Sequence, residues 1–233
     1  MVLAPHADDE LIGCHYFMKS HPNLVCFCFC FTGTNNDLDN YVQRKNEFVD
    51  YCSNNKINYI FPEGNWKEAL FNLLMQNRFD YILLPSIIDW HQEHRKVNYL
   101  LSELNYHFQN KPGIIWYQIS VPICKKYINY VERSSKEGFC NKWKNFDCCY
   151  ISQKKINKKR FMYCEQNREY DTYSAESYTV LNFEDWIRLV EYSKSVDNEF
   201  FNMKKRLNNL LVLMNMSNRF YHKTFKTLTN KNC

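Results

Sequence analysis

The chain has 233 residues, 45% of them hydrophobic and 17% aromatic, with 11 Cys, only 5 Gly and a formal net charge of +5. At about 100–200 residues per domain this length predicts one domain over 1–233, and the apolar content excludes a disordered polymer. The longest apolar runs, Leu24–Phe31 and Tyr81–Ile88, are strand-sized and far short of the roughly 20 residues that cross a bilayer, which excludes a transmembrane segment.

Val2–Pro5 reads as a first strand, with no basic and apolar leader before it, so a cytoplasmic location is expected. Asp8–Met18 is predicted as a helix and Leu24–Thr32 as a buried strand. In that strand Cys26, Cys28 and Cys30 alternate with Phe27, Phe29 and Phe31, which puts thiols on one face and rings on the other. The cysteines are therefore expected as reduced core residues, in preference to disulfides or a thiolate metal site. Helix over Leu38–Ser53, strand at Asn58–Phe61, helix over Trp66–Asn77, strand at Tyr81–Pro85 and helix over Glu93–Phe108 follow. A strand at Ile114–Val121 is confined between Pro112 and Pro122.

This alternation is the pattern of an α/β, Rossmann-like fold with a mostly parallel sheet flanked by helices, in which 1–122 forms the βα core. No G-x-G-x-x-G follows the first strand, so no dinucleotide site is implied. Residues 123–233 read as a less regular, basic part. Within it Cys124–Tyr178 is expected to pass over the active face as an irregular excursion. The basic stretch 125–168 reads mainly as a solvated face, with attraction of an anionic substrate, such as a nucleotide sugar or a lipid headgroup, as its rival. Leu207, Leu210, Leu211 and Met214 make the stripe of a terminal amphipathic helix, expected to pack on the chain's own body, with a dimer or peripheral membrane contact as alternatives. No nucleic-acid recognition motif is present, so no nucleic-acid partner is expected.

Two clusters carry chemistry. Pro5-His6-Ala7-Asp8-Asp9-Glu10 lies where the first strand passes into the first helix. The acidic run alone is explained by capping and by the helix dipole; His6 beside it supplies an imidazole–carboxylate ligand set. His91-Gln92-Glu93-His94 follows the Tyr81–Pro85 strand and so reaches the same sheet edge, where open α/β folds bind ligands. Together they predict a metal site, and zinc catalysis needs three protein ligands plus an open position for water. Spacing alone does not separate the roles of Asp8 and Asp9. Trp90, beside His91, is placed either to stack on a sugar ring or to anchor the loop.

The blocks P-H-A-D-D-E-L-I-G-C and H-Q-E-H-R-K-V resemble those of the PIG-L/LmbE-like N-deacetylases, zinc enzymes that hydrolyse N-acetylglucosamine-type amides. The resemblance implies an LmbE-like three-layer fold. It implies His6, Asp9 and His94 as ligands of Zn2+, with Fe2+ also accepted by such a set. It also implies Asp8 as general base and His91 as the group that stabilises the oxyanion or protonates the amine. Arg44 and Glu47 match the family's R-x-x-E, whose arginine approaches substrate, with a solvated helix face as the rival for Arg44. Tyr117–Pro122, Tyr150-Ile-Ser-Gln153 and Ala175-Glu176-Ser-Tyr178 resemble its later segments.

Ala7 and Gln92 stand where the family has prolines, and His15-Tyr16 where it often has Gly-Gly; His15 is expected to serve packing. Glu93 replaces an Asp that would orient the neighbouring His, a role beside the metal ligands. The implied substrate is a small N-acetyl sugar conjugate. The alternatives are a metal-dependent amidase on a non-sugar N-acyl substrate and a non-catalytic sugar-binding relative.

Overall fold

Seven strands form one sheet in the order β3-β2-β1-β4-β5-β7-β6 in the computed structural model, which describes residues 1–31, 38–89, 91–108, 110–123, 125–154, 156, 158–166 and 172–196. The strands are β1 (Val2–Ala4), β2 (Val25–Cys28), β3 (Asn58–Ile60), β4 (Tyr81–Pro85), β5 (Gly113–Tyr117), β6 (Tyr130–Ser134) and β7 (Ser174–Leu181). β1 to β5 pair in parallel, and β7 runs antiparallel to both β5 and β6. The helices between them are α1 (Asp9–Ser20), α2 (Leu38–Asn54), α3 (Trp66–Gln76), α4 (Gln92–Glu103), α5 (Lys136–Cys149) and α6 (Lys158–Glu165), and 183–196 is also helical. The α/β, Rossmann-like, mostly parallel architecture expected from the alternation is the one observed.

Because side chains alternate along a strand, each strand feeds two cores. Val2, Ala4, Cys26, Cys28, Leu83, Ile115 and Tyr117 face one, with α1, α2 and α5. Leu3, Phe27, Ile82, Leu84, Ile114 and Trp116 face the other, with Leu70 of α3, Val97 of α4 and Trp186. The thiols and rings of β2 divide between these layers as the sequence pattern requires, and Cys26 and Cys28 are fully buried. β2 ends at Cys28, short of the expected Thr32, and Cys30 turns the chain with a φ of 49°. Side-chain caps start three helices: Asn65 accepts the Lys67 N–H before α3, Ser135 the Gly138 N–H before α5, and Asn182 the Asp185 N–H before the helix over 183–196.

The segment expected as an irregular excursion is instead built into the fold, supplying β6, β7 and α5. Its polar composition hides this, because its buried groups are polar pairs. Lys142 of α5 is fully buried, and its Nζ donates to the Ile12 carbonyl at 2.8 Å, to Glu176 at 2.7 Å and to Glu165. Glu176 in turn accepts the N–H groups of Tyr16 and Phe17 at 3.0 and 3.3 Å. A buried ammonium is tolerable only with such partners. Trp90 and the Leu207–Met214 stripe lie outside the described residues. Among the described residues no helix is long and apolar enough to cross a membrane.

Two stability tests follow from the seating of α1. A Cβ on Gly13 would lie 2.3 Å from Tyr117 Cδ2 and 3.1 Å from the Gln118 carbonyl oxygen. Tyr117 is itself locked, fully buried and donating to the Leu3 carbonyl at 2.8 Å. Gly13→Ala is therefore expected to cost about 1–3 kcal/mol by urea denaturation, as overpacking does. His15 is buried against Tyr51 OH at 2.8 Å; burial and then the charge of Lys142 hold its pKa well below the ordinary value. Below pH about 6.5 the unfolded chain takes up a proton there that the native chain refuses, so this residue withdraws stability as pH falls. The His15→Gln protein is expected to lose less of its urea midpoint between pH 7 and pH 5 than the parent.

Candidate metal centre and cleft

β1 lies between β2 and β4, so the chain direction of sheet growth reverses at the β1–β4 pair. At such a switch point the loops leaving the strand ends splay apart and open a crevice. His6 lies just beyond β1 and Asp9 opens α1; His91 precedes α4 and His94 sits in its first turn. Pairing of Val2 with Leu83 thus brings together two clusters more than 80 residues apart.

Three atoms converge. Asp9 Oδ2 is 2.9 Å from His6 Nδ1 and 3.4 Å from His94 Nε2, and those two nitrogens are 3.2 Å apart. Tetrahedral bonds of zinc length separate neighbouring ligand atoms by roughly 3.3–3.5 Å, so this triangle fits a small divalent cation with little movement. The far side of each imidazole meets a carboxylate. His6 Nε2 is 2.7 Å from Glu93 Oε2, and His94 Nδ1 is 3.2 Å from Asp89 Oδ1, off the line of a good hydrogen bond. That is the usual outer support of a histidine–metal site. His91 is a looser member: one ligand atom each from His6, His91 and His94 fall within 4.8 Å of one another. The tighter triangle favours Asp9 as the third ligand, leaving His91 to flank the open side.

The electrostatics follow from this crowding. Burial pushes Asp9 up, but His94 and His6 outweigh it and hold it well below the carboxylate range. Burial pulls His94 and His6 down, while Asp9, with Asp89 for His94 and Glu93 for His6, lifts them to about 10 and about 8. His91 is lowered to about 4 by burial and by its two histidine neighbours, so it is neutral at pH 7.

Asp8 does not join the triangle, and its side chain does not cap α1. A side-chain cap therefore does not explain Asp8, although Asp9 and Glu10 do lie in the first turn of α1. Asp8 instead adopts a φ of 142°, where a side-chain-bearing residue is strained. Its N–H donates to Glu10 Oε2 at 3.1 Å, and Glu10 is bonded by Tyr150 OH. Arg44 Nη2 donates to the Ala7 carbonyl at 2.7 Å and to Asp8 Oδ1 at 3.1 Å. Arg44 thus faces the site, and the solvated-face reading fails. Asp8 is raised to about 7 by burial and by Asp9, against the opposing charge of Arg44.

An open cleft of about 350 Å3 lies over these groups, lined also by Ile12, Phe31, Ile119, Ser120, Gln153, Ile156 and Phe161. His91 is half-exposed at its rim, its ring stacked on His94 with centroids 4.7 Å apart. Glu93 behaves differently from expectation: it bonds His6 across the site and stays 3.8 Å from His91. Asp89 was not singled out in the sequence. It is fully buried and accepts the N–H groups of His91 and Ser120, each at 2.8 Å, fixing the whole loop. The one available signal was a carboxylate two residues before a histidine.

No family model and no curated protein matches the chain. Solved structures do match its fold. A conserved protein from Thermus thermophilus aligns with TM-score 0.55 and 17% identity, over 76% of this chain and 92% of that one. Teicoplanin deacetylase Orf2, in its zinc-inhibited form, aligns with TM-score 0.55 and 10% identity, over 79% and 98%. GalB, the 4-carboxy-2-hydroxymuconate hydratase of Pseudomonas putida KT2440, aligns with TM-score 0.51 and 12% identity, over 77% and 94%. The chain therefore shares the three-layer α/β fold of these proteins. At these identities the likeness is one of fold, and that fold serves both a deacetylase and a hydratase.

The ligand assignment is open to direct measurement. Glu93→Ala is expected to weaken zinc binding about 10–100-fold in a chelator competition, as loss of an outer partner does. His91→Ala is expected to leave affinity within a few-fold; a collapse of affinity there would move His91 into the ligand set.

Proposed function

We propose that the chain is a metal-dependent N-deacetylase that hydrolyses the acetamide of an N-acetylglucosamine-type sugar conjugate to acetate and a free amine. The observation that carries this reading is a buried carboxylate, Asp8, held by Arg44 beside a separate three-ligand triangle. A protein that only binds a metal or a sugar has no use for that extra carboxylate. The deacetylases that share the fold support it.

A divalent cation, zinc or iron(II), held by His6, Asp9 and His94 would acidify a water and polarise the acyl carbonyl. Asp8, which lines the cleft, accepts the proton of the attacking water, and Arg44 holds one oxygen of its carboxylate. His91 is neutral and half-exposed at the rim of the cleft, with its buried Nδ1 turned toward Glu93 and Nε2 left as the nitrogen that can reach substrate. It donates to the oxyanion as the carbonyl carbon becomes tetrahedral. When the C–N bond breaks, the proton held on Asp8 passes to the leaving nitrogen and the water oxygen leaves in acetate. The cleft has room for a group of about one sugar ring. Trp90 is proposed as a further sugar contact from its place in the sequence alone.

A second reading, hydrolysis of a non-sugar amide or a longer acyl group, is favoured by the apolar wall of Ile12, Ile119, Ile156 and Phe161. The chain loaded with zinc or with iron(II) should release acetate from a panel of N-acetylglucosamine conjugates. Asp8→Ala should retain the metal and lose about 10²–10⁴-fold in kcat. Full activity in that variant would overturn the assignment of the base.

A further inference from the structure

The turn Ile151–Gln153 has no part in the hydrolysis above, yet it is fastened to the site at two points. Tyr150 OH bonds Glu10, whose other oxygen accepts the Asp8 N–H. Ser152 gives Glu47 both its N–H, at 2.7 Å, and its hydroxyl, at 2.6 Å. Glu47 is buried and lies three residues after Arg44 on α2, so one face of one helix holds both Asp8 and this turn.

The pattern decides the orientation of Gln153. The Ser152 hydroxyl has one proton and commits it to Glu47, so toward Gln153 it can only accept. It accepts from Gln153 Nε2 at 3.0 Å. The amide nitrogen therefore points to Ser152, and the carbonyl oxygen points away from it. Gln153 lines the same cleft as Asp8, Arg44 and His91. Among the described residues nothing donates to its oxygen. The carboxylates of the cleft, in contrast, are engaged: Asp8 by Arg44, Asp9 by His6 and His94, Glu93 by His6. An oriented neutral acceptor without a donor is what a substrate hydroxyl requires.

Resting on the deacetylase reading, we propose that Gln153 is a specificity-determining residue whose side-chain carbonyl accepts a hydrogen bond from the ring hydroxyl next to the acetamido carbon. Glu47, acting through Ser152, is its positioning residue. The site then selects a vicinal hydroxy-acetamide over its deoxy counterpart, because the deoxy compound leaves the acceptor unpaired.

The test compares N-acetylglucosamine with 3-deoxy-N-acetylglucosamine on the metal-loaded chain, by acetate release and, separately, by calorimetric binding. The parent is expected to prefer the hydroxyl compound about tenfold, and Gln153→Met to lose that preference by losing kcat/KM on the hydroxyl compound alone. Glu47→Gln should lose the same preference with bound metal unchanged, an outcome that general loosening of the fold would not give. Equal loss on both compounds, or none, in Gln153→Met would overturn the proposal. If the parent releases no acetate from either compound, the deacetylase reading fails. The binding preference then still decides on Gln153: its presence in the parent and absence in Gln153→Met sustains the role, and its absence in the parent refutes it.

Discussion

The pairing of β1 with β4 is the constraint on which the site depends. β1 has only three residues, is fully buried, and is held by β2 on one side and β4 on the other. The Leu83 N–H donates to the Met1 carbonyl at 2.8 Å, and the Met1 nitrogen donates to the Tyr81 carbonyl at 3.0 Å. A one-residue slip would turn every β1 side chain to the wrong core and carry His6 and Asp9 away from His94. The short strand is therefore both a structural centre and a ruler for the distance between the two loops.

Around that ruler, strain and charge are concentrated in a few residues. The Asp8 backbone conformation costs on the order of 1–3 kcal/mol and persists because Glu10, Tyr150 and Arg44 grip both ends of the residue. The same grips link the N-terminal loop to α2 and to the turn after α5. What looks in the sequence like a basic, irregular tail is thereby part of the wall of the site. Its ion pairs of Lys142 with Glu165 and Glu176 are buried within the layer that supports α1.

The legibility of the chain follows the physics of each part. The first five strands and four helices lie where short apolar runs and longer mixed segments alternate between turn residues, although α4 ends at Glu103, short of Phe108, and β5 at Tyr117, short of Val121. β6 and β7 were not legible: Tyr130–Ser134 and Ser174–Leu181 mix polar and apolar residues, β6 is largely unburied, and the buried Glu176 of β7 finds its partners far away in sequence. The two histidine blocks were visible because their imidazoles and carboxylates are close together in the chain. The link from Glu93 to His6 spans 87 positions, and no local pattern announces it. Asp89 was missed for a similar reason, since its partners, the N–H groups of His91 and Ser120, come together only once β4 and β5 are side by side.

The central claim is that the loops after β1 and β4 form one metal centre with two imidazoles and one carboxylate. X-ray absorption spectroscopy of the chain loaded with one equivalent of zinc tests it most directly. The account predicts a four-coordinate site with two imidazole nitrogens and oxygen ligands, all at about 2.0–2.2 Å, and loss of one imidazole in His94→Ala. A spectrum with three imidazoles, or one unchanged by His94→Ala, would contradict it.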